Sequence, residues 1–310
     1  MRKKNSQRGS ILVMTLVIMT IALGLATYVV TLSRQSVENS ALLLDKLRAK
    51  IDTESHLELA EFLISSGQFH AAKITITPPS DISLDSSDWS LRGDPIFIGQ
   101  SKIELYDAGS KPFLNKLSPW ALKRLFIINN IDASIAEIAI QSYRDWIDKD
   151  HFNHLNGAEK AYYRTEKGYG YEPRNNPALQ SPEELRLLRG LEGSDASEFV
   201  TSQVHLFGTG DLNVNTASLK TIEAVLNISH QQAEDLVTLR KQKGTLVFND
   251  LKLLTGLDYS HELSGVSVFS TQSVEVFITT TIGEARDTLR ALIDFTPRAN
   301  APYVVVFYQQ

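Results

Sequence analysis

The chain has 310 residues, of which 43% are hydrophobic and 22% charged, with a formal charge of −5. That is room for one large or two small domains, and the balance of apolar and charged residues excludes long disordered tracts. There is no cysteine, which excludes disulfides, thiolate metal sites and cysteine nucleophiles.

Four basic residues, Arg2, Lys3, Lys4 and Arg8, precede Gly9-Ser10 and the uncharged run Ile11–Leu32. At about 1.5 Å per residue, this run reaches across the ~30 Å core of a bilayer. The basic flank predicts a cytoplasmic N-terminus and a single pass, with the bulk of the chain on the far side. A secretory signal has a shorter apolar core followed by a small-residue cleavage site. Here the small pair precedes the run, an order that predicts cleavage between Gly9 and Ser10 with the apolar segment retained. Removing residues 1–9 leaves 27 basic against 36 acidic residues, or −9. Such a charge repels nucleic acid. From Gln35 to Ser65 there is no Gly or Pro, and Leu44, Leu47, Ile51, Leu59 and Leu63 recur at helical spacing. One helix is therefore predicted over 10–66, membrane-spanning in its first half and amphipathic in its second.

Strand patterning begins at Lys73–Thr77, breaks at Pro78-Pro79 and gives way to a polar loop, Ser80–Asp88. Asp94–Ile98 and Ser101–Tyr106 read as a hairpin around Gly99-Gln100. Region 67–113 is thus the first part of an antiparallel sheet covered by the helix, an α+β arrangement. Strand character stops at Asp107-Ala108-Gly109-Ser110 and resumes with Val266–Phe269, Ser273–Thr280, Thr288–Phe295 and Tyr303–Tyr308. Gly283 and Pro297–Asn300 supply turns. The returning strands, 266–310, are expected to complete the sheet begun at Lys73, leaving 114–265 as an inserted helical domain.

That insertion repeats itself. Leu114-Asn115-Lys116-Leu117-Ser118 is matched by Val214-Asn215-Thr216-Ala217-Ser218, and the apolar positions that follow stay in step. Ser118 and Ser218 are each placed to cap a helix, with Pro119 at the first helical position of the first copy. The copies, about 114–148 and 214–256, read as helix-hairpin-helix (SAM-like) units that pack together into one subdomain. The second hairpin, Leu226-Asn227-Ile228-Ser229-His230, lacks the glycines that let backbone amides approach a phosphate. With the acidic charge, this makes the motif a packing unit and predicts no nucleic acid partner.

Between the copies lie Asp145-Trp146-Ile147-Asp148-Lys149-Asp150, Gly157-Ala158-Glu159, Tyr162-Tyr163, Arg174-Asn175 and Glu183-Glu184-Leu185-Arg186. The pattern W-I-D-x-D, G-A-E-x-x-Y-Y, P-R-N-x-P, E-E-L-R and then N-V-N-T-A resembles general secretion pathway protein K, the large minor pseudopilin of type II secretion systems. The resemblance implies a pilin-like fold and a structural role. It also implies removal of leader 1–9 by prepilin peptidase between Gly9 and Ser10, with N-methylation of the new terminus. Major pilins carry Glu at the fifth mature position, where this chain has Met14. The missing carboxylate implies a subunit with nothing stacked above it, held by helix contacts through residues such as Met14, Leu16 and Leu23. The implied partners are the I and J minor pseudopilins at the tip, and beyond them secreted substrate or the secretin. The implied location is the bacterial inner membrane and then the periplasmic pseudopilus. The alternatives are a minor pilin of a type IV pilus or competence system, which shares the leader, and a membrane-anchored periplasmic enzyme.

Asp145, Asp148, Asp150 and Glu159, beside Asn153 and Asn156, offer the hard oxygens that calcium takes. The resemblance implies calcium in the same region, although His151-Phe152-Asn153 and Lys160-Ala161 stand where the family carries further acids. The competing readings are solvated acids at a helix end, and zinc on His151 and His154 with Asp148 or Asp150. No catalytic residue is assigned, because G-x-S-x-G, H-E-x-x-H and cysteine are all absent. Glu183-Glu184 follow Ser181-Pro182 in a first helical turn, where acids suit the dipole. Arg174, Arg186 and Arg189 are expected to bind carboxylates inside the fold, and Trp146, Tyr162 and Tyr163 to pack within it.

Overall fold

The computed structural model describes residues 10–78, 86–194, 200, 202–206, 211–261, 265–296, 298, 299 and 301–309. Gly9, most of the polar loop after Pro79 and part of the turn at 297–300 lie outside the described residues.

Helix α1 (Ser10–Ser65) runs 56 residues without a break, about 84 Å at 1.5 Å per residue. It is long and apolar enough to cross a membrane, with mean hydropathy 2.3 over its most apolar 18-residue window and none of that window buried. Burial begins only at Ala49 and continues through Thr53, Leu57, Ala60, Leu63 and Ile64. These residues lie three or four apart, on one face. The small Ala49 and Ala60 let the helix settle closely on a sheet.

That sheet has five antiparallel strands in the order β10-β9-β8-β5-β4. They are β4 (Ile96–Ile98), β5 (Ser101–Asp107), β8 (Ser273–Ile282), β9 (Ala285–Asp294) and β10 (Val304–Gln309). Side chains alternate along β5, so Ile103 and Leu105 point into the core while their neighbours are half-exposed. With Val274, Val276, Ile278, Leu289, Ala291 and Ile293 they meet the buried face of α1. Each Val, Leu or Ile among them contributes about 1.5–3 kcal/mol when fully buried. A polar chain crosses the same interface. His56 Nδ1 lies 2.8 Å from Ser101 Oγ, which lies 2.6 Å from Thr280 Oγ1, and Thr53 Oγ1 is 2.7 Å from Thr280.

The sheet does not begin at Lys73. Strand β2 (Lys73–Thr75) pairs on both sides with local partners, β1 (Gln68–Phe69) and β3 (Asp88–Ser90), in a sheet of three strands. Both of its edges are filled, and it ends before Pro78. This small sheet lends Ile74, Ile76 and Trp89 to the same core. It is joined to the larger sheet by a bridge between Arg92 and Tyr106. Gly93 (φ +84°) makes that crossing possible, since a Cβ there would lie 2.3 Å from the Tyr106 ring.

The helical insertion carries a further departure from the sequence pattern. Strand β6 (Leu212–Asn213) pairs in parallel with β7 (Val266–Ser267), so a strand does lie inside the block read as helical. At two residues it is too short to leave a period in the sequence. Helices α2 (Pro119–Ile128) and α3 (Ala133–Ile147) form the first copy, and α4 (Leu219–Leu226) and α5 (His230–Lys243), followed by α6 (Phe248–Thr255), form the second. Ser118 and Ser218 cap α2 and α4, each accepting the backbone N–H three residues on. The copies centre on two cores, joined through Ala224 of α4, which packs in the first. The first packs with Tyr163, Leu179, Leu185, Leu188 and Val204, and the second with Val214, Leu246, Leu251 and Val266. α2 and α4 touch, and Arg124 of α2 donates to Asn227 Oδ1 and the Ile228 carbonyl, both at 2.7 Å. The hairpin of the second copy is thus engaged by the first copy.

Candidate functional site

Helix α3 carries Asp145 and ends at Ile147, with Asp148 as its C-cap. The carboxyl end of a helix is electronegative, and acids gathered there favour a cation. The chain then loops through Asp150 and returns at Gly157-Ala158-Glu159. Asp148, Asp150 and Glu159 each offer an oxygen within 4.8 Å of the others, and Asp145, Asp148 and His154 form a second such group.

The two groups differ in how far they are already satisfied. Asp145 is fully buried and accepts the His154 backbone N–H at 3.1 and 3.2 Å and the His154 ring. Gly157 is packed so tightly against it that a Cβ would lie 1.9 Å from Asp145 Oδ2. Glu159 is 4% exposed, yet neither of its carboxylate oxygens has a hydrogen-bond partner, and Asp148 Oδ1 is buried and unpartnered beside it. Burial, and then the charges of Asp145 and Asp148, push the Glu159 carboxyl up to about 7. Burial and the neighbouring Asp150 and Asp145 raise Asp148 as well.

A buried carboxylate with no donor is costly, and a second carboxylate beside it adds to the cost. A hard divalent cation removes the penalty, and the all-oxygen donors suit calcium. Of the four acids singled out in the sequence, Asp148, Asp150 and Glu159 come together with oxygens to offer, whereas Asp145 is held by His154.

Residues 104–198, which contain this loop, match the family model of type II secretion system protein K. Over that stretch the chain is similar to the protein K family. The whole chain also resembles a chain of the crystal structure of the GspK-GspI-GspJ complex from the type 2 secretion system of enterotoxigenic Escherichia coli. The TM-score is 0.51 at 16% identity, covering 89% of this chain and 98% of that one. At that identity the likeness speaks for the fold, which is pilin-like and α+β. No curated protein sequence matches the chain.

The other motif residues of this stretch are structural. Glu184 is buried and accepts Trp146 Nε1 at 3.1 Å, Arg174 Nε at 2.9 Å and the Gln180 N–H at 2.8 Å, while Ser181 caps its 3-10 turn. Arg174 therefore binds a carboxylate, as expected. Arg189 does not, for it donates to the Gly157 carbonyl at 3.0 Å and stacks on Tyr162. Trp146 and Tyr163 are buried edge-to-face, with ring centroids 5.4 Å apart. On α1, Leu16 and Leu23 lie seven residues apart, nearly two turns, and share a face, whereas Met14 projects from the opposite side. All three are exposed.

The sequence reading missed Asp107. It ends β5 with no exposure and accepts from Asn213 Nδ2 (2.6 Å), Thr271 Oγ1 (2.6 Å), Thr216 Oγ1 (3.1 Å) and the backbone N–H groups of Gly109 and Thr271. Asn213 donates also to the Ala71 carbonyl, and Asn215 to those of Leu246 and Val268. N-V-N-T is thus the latch that holds the inserted domain to both sheets. Two Asn two positions apart, Asn213 and Asn215, are the signal in the sequence that points to it.

Proposed function

We propose that the chain acts as a minor pseudopilin of a type II secretion system, a structural subunit at the pseudopilus tip that starts assembly with I and J minor pseudopilins. The observation that carries the reading is α1. Its large apolar side chains from Ile11 to Leu44 are exposed, while its C-terminal end is locked to a folded body. Water does not tolerate so much bare apolar helix. A bilayer satisfies it in the precursor, and neighbouring helices satisfy it in a filament. The GspK-GspI-GspJ complex, whose chain shares this fold, supports partners of that kind. The bulk of the inserted domain supports a terminal position, since it obstructs addition of another subunit above.

In this reading prepilin peptidase cleaves between Gly9 and Ser10 at the inner membrane, and the body lies in the periplasm. Asp148, Asp150 and Glu159 hold calcium, which when bound neutralises their mutual repulsion and ties the end of α3 to the returning segment Gly157-Ala158-Glu159. Mass spectrometry of the N-terminus, in cells with and without the peptidase, tests the reading. A chain starting at Ser10 only when the peptidase is present is the expected result. A chain starting at Met1 in both, while secretion continues, overturns it.

A further inference from the structure

The loop between Asp150 and Gly157 displays two side chains that no packing requirement explains. Phe152 is 81% exposed and Leu155 92% exposed, more than any other large apolar side chain among the described residues, α1 included. They are held in that position. The Phe152 N–H donates to Asp150 Oδ1 at 2.8 Å, the His154 N–H to Asp145, and the Asn156 N–H to Gln141 Oε1 at 2.6 Å. The backbone is thus tied to the body at His154 and Asn156 and by a local turn at Phe152, and the two apolar side chains stand out among the polar residues His151, Asn153, His154 and Asn156.

We propose that this loop is a calcium-gated lipid-docking tip, with Phe152 and Leu155 entering the interfacial layer of an anionic bilayer. It rests on the calcium reading of Asp148, Asp150 and Glu159. Two observations favour a lipid surface. First, three carboxylates supply at most six oxygens while calcium takes six to eight, and Asp150 is exposed. Headgroup phosphates add oxygens at the exposed Asp150, two residues before Phe152. Second, segment 145–160 carries four acids against Lys149 and Lys160, so without a cation it is repelled by an anionic surface. A bound divalent cation cancels that excess. Two apolar side chains flanked by interfacial polar groups need a soft apolar layer and no shaped pocket, which a bilayer offers.

The full chain is placed in phosphatidylcholine nanodiscs, which accommodate α1. Separate vesicles of phosphatidylcholine, with or without phosphatidylglycerol, are then added. Because the chain has no cysteine, Leu155→Cys carries an environment-sensitive fluorophore at one position. The expected result is co-flotation with phosphatidylglycerol vesicles and a blue shift of the fluorophore in calcium, both reversed by chelator. In unlabelled protein, Phe152→Ser with Leu155→Ser reduces co-flotation roughly tenfold or more. Calorimetric titration of the same nanodiscs with calcium reads the underlying site separately. Heat of binding without vesicle engagement overturns the lipid proposal and leaves the calcium reading intact, whereas no heat overturns both. Engagement that persists in chelator, or is unaffected by the double serine variant, also overturns the lipid proposal. Equal engagement of vesicles lacking phosphatidylglycerol overturns the anionic assignment.

Discussion

Asp107 and Glu159 are both carboxylates closed off from water, one at the end of β5 and one in the loop after α3. Asp107 sits at the centre of five hydrogen bonds from Gly109, Asn213, Thr216 and Thr271. Glu159 has none on either oxygen and looks at Asp148 and Asp145. The first is a finished structural device whose donors all come from the chain. The second is finished only when something positive arrives. The number of donors around a buried acid, more than its depth, separates a joint from a site.

Asp107→Ala breaks the comparison most severely. It takes the shared acceptor from the buried Asn213 and the half-buried Thr216 and Thr271 at the meeting of both sheets and the insertion. The expected loss is about 3–5 kcal/mol, read by denaturant unfolding of the full chain in detergent, with calcium making no difference to the loss.

Glu159→Gln tests the other side, and its effect changes sign with the cation. In chelator the variant removes an uncompensated charge and gains about 1–3 kcal/mol at pH 8. In calcium it loses a ligand, so the rise in Tm that calcium causes in the parent chain shrinks. A variant less stable than the parent in both conditions contradicts the assignment.

The pH dependence sharpens the same point. Glu159 is held near 7 in the fold, above the ordinary carboxylate range, so it takes up a proton on folding. Below the ordinary value both states are protonated and nothing is lost. As pH rises from there through 7, the folded state must ionise against its neighbours, and in chelator stability falls over that window. Calcium affinity moves the opposite way, rising through 7 as the displaced proton becomes easier to release. Calorimetry in buffers of different ionisation enthalpy measures that proton.

The smallest effects belong to the caps shared by the two repeats. Ser118→Ala and Ser218→Ala each cost about 1 kcal/mol, read as matched shifts in the unfolding midpoint, with calcium binding unchanged.

Much of the fold was legible because its signals are local. The uncharged run after Arg8 and the Gly/Pro-free stretch to Ser65 are enough to specify α1, since an apolar period and the absence of breakers act within a few turns. The hairpin at Gly99-Gln100 and the caps at Ser118 and Ser218 are likewise set by neighbours. The four acids of the loop were legible as a group because three of them lie within six residues of one another and carboxylates crowd only at a cost.

Other features depended on partners distant in the chain. The pairing of Lys73–Thr75 with Gln68–Phe69 and Asp88–Ser90, in place of the large sheet, turns on which edges fill first. The parallel contact of Leu212–Asn213 with Val266–Ser267 leaves no period to read. The roles of Asp107 and Asn213 join residues 106 positions apart. Residue order alone determined that this protein has a long apolar helix, an antiparallel body and an acidic loop. Only the tertiary structure decided which acid is bonded and which is bare, because hydrogen-bond donors brought in by other segments make that choice.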